Sequence, residues 1–123
     1  MRILKYGPFP LTSRGIDAAV PEDTIGAYAI GPSSKPGAIT VRRIGRSDTD
    51  LRDRLKAYTQ DVDYADCTHF RFEPCISAWR AYQLECVLFH DWSPSKNIDH
   101  PDAPDGMDPD CPVQGCPIKR QDP

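Results

Sequence analysis

Proline constrains this chain most, because each one removes a backbone donor and is excluded from helix interiors and central strands. Of the 13 prolines in 123 residues, only Pro32, Pro36 and Pro74 fall between Ile25 and Trp92. A foldable domain is therefore expected over residues 25–101, preceded by an extended, irregular arm over 1–24 and followed by an acidic, proline-rich tail over 102–123. A chain of this length supports one domain with one modest core.

Inside the central segment, Ile25 to Ile30 is short and apolar, Gly31 to Gly37 is dense in turn residues, and Ala38 to Ile44 is β-rich. Two such strands joined by a Gly/Pro loop predict a hairpin. Ser47 or Asp48 can cap a following helix, whose Leu51, Leu55 and Tyr58 lie on one stripe. Thr68 to Glu73 alternates as a half-buried strand does, and Pro74 opens a long helix over about Ile76 to Asp91. Glu85 falls among the apolar positions of that helix. A carboxylate there either reaches solvent at the stripe's edge or meets a cation or a charged partner.

The formal charge is −3, which argues against a protein that coats nucleic acid by bulk attraction. The stretch VRRIGRSDTDLRDRLKAY, Val41 to Tyr58, is nonetheless basic, with Arg42, Arg43, Arg46, Arg52, Arg54 and Lys56 against Asp48, Asp50 and Asp53. Such a patch serves either a phosphate backbone or a solvated helix face, and on charge alone the solvated face takes precedence. The opening residues lack the apolar run of a secretory signal, and no window has the length of a membrane span. A cytoplasmic location without membrane partners is expected. Five cysteines, an odd number, then suggest reduced thiols. Cys111 and Cys116 have the turn-rich setting of a zinc knuckle, with Cys67 and His69 as the second ligand pair and His100 as a further donor. Free thiols in an acidic tail are the other reading. Cys75 and Cys86 read as small core residues and His90 as a surface or helix-end residue.

The order and spacing of these pieces resemble the GIY-YIG nuclease superfamily over roughly Val20 to Pro101. Gly26-Ala27-Tyr28 is similar to its first motif, and Arg43-Ile44-Gly45 occupies the place of the second, followed by Arg46-Ser47. Arg54 and Tyr58 on the helix, Glu85 on the later helix and Asn97 after it complete the pattern. The resemblance implies an α+β fold with a small three-stranded antiparallel sheet flanked by helices. It implies an endonuclease that hydrolyses phosphodiester bonds of nucleic acid, DNA first, with one Mg²⁺ or Mn²⁺ on Glu85. Tyr28, Arg54, Tyr58 and Glu85 would be catalytic, and Arg42, Arg43, Arg46 and Asn97 would bind substrate. Arg43 replaces the family's second tyrosine, and a guanidinium cannot take a proton from water. A degenerate domain that binds nucleic acid or a protein without cleavage is the alternative.

Overall fold

The computed structural model describes residues 2–97, 100–104, 106, 111–113 and 116. Most of the tail expected over 102–123 lies outside the described residues. Among them, no helix is long and apolar enough to cross a membrane.

Strand β2, Gly26–Gly31, is the spine of the molecule, and all six of its residues are buried. It pairs antiparallel with β5, Arg43–Ser47, on one side and with β6, His69–Pro74, on the other. A fourth strand, β1 (Tyr6–Pro10), pairs antiparallel with β6, so the sheet order is β1-β6-β2-β5. A central strand covered on both faces has no solvent side. The alternation along β2 therefore sorts large from small residues. Tyr28 and Ile30 join Phe70 and Phe72 beneath helices α1 (Ser13–Ala19) and α2 (Leu51–Tyr58), which contribute Ile16, Leu51 and Leu55. Ala27 and Ala29 join Ile44 on the opposite face, where their small side chains let α3 (Ala78–Trp92) pack through Leu88.

The α+β class stands, but the sheet has four strands rather than three, and the segment expected as an irregular arm folds. Pro8 and Pro10 fit in β1 because it is an edge strand that needs donors on one side only. Thr12 then caps α1 by accepting from the Gly15 amide at 3.0 Å, and Ile16 goes fully into the core. The expected hairpin is also modified. The β-rich run from Ala38 is divided: β3 (Ser33–Lys35) and β4 (Ala38–Ile39) form a small separate ribbon, and the strand that pairs with β2 begins only at Arg43. The cap of α2 moves likewise. Asp50 accepts from the Arg52 amide at 3.1 Å, while the Ser47 hydroxyl accepts from the Asp50 amide at 2.8 Å, one turn earlier than the helix proper. Helix α3 starts at Ala78 behind Ser77, whose hydroxyl accepts from the Arg80 amide at 3.2 Å.

One glycine is demanded by this packing. Gly45 lies opposite Tyr28 in the β2–β5 register, and a Cβ there would come within 2.4 Å of the Tyr28 ring carbon that bears the hydroxyl. The absent side chain lets the tyrosine cross the strand and send its hydroxyl toward α2.

Candidate functional site

Strand β5 is the other edge of the sheet, and a cleft of about 640 Å³ opens along it. Arg43, Arg46, Arg54 and Lys96 line it with Asp48, Glu85 and Asp102, so four cations face three carboxylates. Because β5 alternates, it feeds the cleft from both faces of the sheet. Arg43 and Gly45 share a face with Tyr28, whereas Ile44 and Arg46 face α3.

On the first face a chain of hydroxyls runs from the core to the cleft wall. The Tyr28 and Tyr58 hydroxyls hydrogen-bond each other in a short contact, and the Tyr58 oxygen accepts from Arg43 Nε at 3.0 Å. Arg43 also donates to the Lys96 carbonyl at 3.1 Å, and Arg54 lies against the Tyr28 hydroxyl. Tyr28 is fully buried. That burial, with Tyr58 beside it, pushes its hydroxyl well above the ordinary tyrosine range. Tyr28 therefore acts as a neutral hydrogen-bonding group. Tyr58, half-buried, stacks edge-on against Tyr64 with ring centroids 4.8 Å apart, and Lys96 Nζ stands 5.7 Å over the Tyr64 ring.

On the second face Arg46 is the hub. It donates to Glu85 Oε1 at 2.7 Å, to Asp48 Oδ1 at 2.8 Å and to the Asp102 carbonyl, while its guanidinium lies 5.2 Å from the Tyr82 ring centre. Glu85 is 8% exposed on the apolar side of α3. Burial raises its carboxyl above the ordinary value, and the Arg46 guanidinium holds that rise in check. The charge partner of Glu85 is thus Arg46, on the neighbouring strand.

Arg43, Arg46, Arg54 and Glu85 are brought together along β5, and the Tyr28 and Tyr58 hydroxyls lie beneath the cleft surface. Two expected substrate residues are used otherwise. Arg42 points away from the cleft and pairs with Asp66 at 3.2 Å. Asn97 lines the cleft, but its side-chain amide accepts from the Ile44 N–H at 2.8 Å and donates to the Ile44 carbonyl at 2.9 Å, closing the free edge of β5 as a further strand would. Arg52 and Lys56 are likewise occupied, by the Val20 carbonyl, Glu22 and Asp17 around α1. Tyr64, Lys96 and Asp102 join the cleft without having been singled out in the sequence, and Asp48 and His100, read there as a helix cap and a zinc donor, line it as well. Lys96 carried a signal, since it directly precedes Asn97.

The expected zinc ligands divide. Cys67 is buried in the core under α1 and α2, and His69 on β6 contacts Thr68 Oγ1 at 2.9 Å, so neither reaches the tail cysteines. Cys111 and Cys116 instead meet His90 and His100, with one donor atom from each of the four lying within 4.8 Å of the others.

No known protein-family model matches this chain, and no curated protein sequence matches it.

Proposed function

We propose that this chain is a GIY-YIG-like, metal-dependent endonuclease domain acting on nucleic acid, DNA in the first place. One observation carries the reading: Glu85, Arg43, Arg46 and Arg54, taken from three separate elements, line a single cleft directly above the Tyr28–Tyr58 hydroxyl pair. Arg43, Arg54 and Lys96 line the cleft with the charge to hold a phosphodiester, and Arg54 would follow the charge that develops on the phosphoryl oxygens. Tyr58, less buried than Tyr28 and held between Tyr28 and Arg43, would fix the Arg43 guanidinium at the cleft wall from beneath. Mg²⁺ keeps most of its own waters and needs only one or two carboxylates, and Glu85 with Asp48 would supply these. Both carboxylates hold Arg46, and a substrate phosphate entering the cleft would compete with them for it. When bound, the cation would polarise the phosphoryl group and stabilise the departing oxygen.

The short Arg46–Glu85 pair and the arginine at position 43 favour a second reading, in which the cleft binds nucleic acid without cutting it. Both readings require phosphate contacts, so affinity for duplex DNA should fall steeply with salt. Two to four contacts give a log–log slope of about −2 to −4, and Arg54→Ala should flatten it by about one. Fluorescence anisotropy across a salt series measures this; a slope near zero would return these arginines to solvent.

Arg43→Tyr distinguishes the two readings. A positioned hydroxyl is worth about 10²–10⁴ in rate where it assists proton transfer. Restoring one at position 43 is expected to raise cleavage at least about tenfold while loosening substrate, read from single-turnover rate and affinity together. If neither changes, Arg43 has no part in the cleft's chemistry.

A further inference from the structure

Beside the cleft, and sharing His100 with its wall, the end of α3 and the segments after it assemble a second concentration of reactive side chains. Cys111 is fully buried and Cys116 is 3% exposed. They pack with Cys86, Tyr82, Trp79 and Val113 in a small core of their own. Buried thiols in such a setting are ordinary. What they face is not, because two imidazoles turn toward them. His100 Nδ1 sits 2.9 Å from the Pro101 carbonyl, to which it donates, and this sets the tautomer so that Nε2 offers a lone pair. That Nε2 is 3.4 Å from Cys116 Sγ. His90 Nε2 is buried and has no hydrogen-bond partner among the described residues. An unpaired buried polar nitrogen is costly unless something takes its lone pair or its proton.

We propose that His90, His100, Cys111 and Cys116 form a structural Zn²⁺ site. The donor set is N₂S₂, which suits a borderline-soft tetrahedral cation and excludes Mg²⁺, a cation that takes oxygen ligands. The size is right as well. With Zn–S of about 2.3 Å and Zn–N of about 2.1 Å, a tetrahedral S···N edge is about 3.6 Å, and the one measured edge, at 3.4 Å, is close to it. Four ligands from the protein close the coordination sphere, as structural rather than catalytic zinc requires. Binding releases the two thiol protons and forms two thiolate–metal bonds, with no change of oxidation state.

The site has a use that is independent of whether the cleft cleaves anything. It fastens His100, Cys111 and Cys116 to the end of α3, and His100 lines the cleft wall beside Pro101 and Asp102, with the Asp102 carbonyl resting on Arg46. The metal thereby holds one wall of the cleft in place.

Elemental analysis of the full chain, purified without chelators or reductant, tests this. About one zinc per chain is expected, falling to a trace in Cys116→Ser and in His90→Ala and unchanged in Cys75→Ser, which removes a thiol outside the cluster. Because a ligand variant can fail for reasons of folding, the unsubstituted protein provides a second readout. Exchange into Co²⁺ should give the intense visible bands of a tetrahedral site together with a thiolate charge-transfer band. Purified chain that carries no zinc and develops no such bands overturns the proposal. So does a Cys111–Cys116 disulfide found by mass spectrometry in place of the metal.

Discussion

Arg46→Ala is expected to lose about 3–5 kcal/mol of folding stability, because it leaves the buried Glu85 carboxylate without its partner. A domain of this size has only about 5–15 kcal/mol in total, so the variant should stand near the edge of folding. Arg46 and Glu85 are only 13% and 10% exposed in their side chains, so losing the guanidinium leaves the carboxylate poorly solvated. The loss belongs to the stranded charge more than to the pair. Replacing both residues together, Arg46→Met with Glu85→Leu, should restore most of the stability. The dependence on pH follows from the direction of the Glu85 shift. Its carboxyl already stands above the ordinary value in the intact protein, and removing Arg46 removes the influence that restrains it. In the variant the folded state therefore binds a proton over a range where the intact protein does not. Acidification through that range neutralises the carboxylate and lifts the penalty, so the deficit should shrink as the pH falls. Urea denaturation of both proteins at each pH measures it. A deficit that stays constant with pH would assign the loss to packing against Tyr82.

The elements whose partners are close in sequence were the most legible. The stripe of Leu51, Leu55 and Tyr58, and the apolar positions of α3, specify helices through local periodicity alone, and both form within a few residues of the expected bounds. The N-terminal segment was misread because Pro8 and Pro10 argue against a strand. They argue only against a central one, and whether a strand lies at an edge depends on β6, some sixty residues away. Ile16, Ala19 and Val20 do carry helical spacing, a signal outweighed in the sequence by the prolines on either side.

The basic stretch from Val41 to Tyr58 shows the same limit at the level of the site. Six cations look alike in sequence, yet Arg43, Arg46 and Arg54 reach the cleft while Arg42, Arg52 and Lys56 pair with residues near positions 17, 20, 22 and 66. Strand alternation separates Arg43 from Arg46, and only the tertiary fold supplies the acids that claim the other three. The cysteines follow suit. The spacing of Cys111 and Cys116 marks a pair, but the residues that complete it, His90 and His100, are positioned by the end of α3 and the chain beyond it.

Glu85→Gln is the second large effect. The amide keeps the side chain's shape and can still accept from Arg46, so the fold should survive, but it carries no charge to hold a divalent cation. If Glu85 anchors the metal, the variant forfeits several kcal/mol of transition-state stabilisation, which at 1.36 kcal/mol per tenfold is a loss of at least about 10² in rate. Single-turnover cleavage of a DNA duplex with Mg²⁺ or Mn²⁺, comparing the intact protein with Glu85→Gln, measures this directly. The intact protein should cut, stop on addition of EDTA, and outpace the variant by at least about a hundredfold. No cutting by the intact protein, or equal cutting by both, would contradict the assignment of this cleft as a metal-dependent nuclease site.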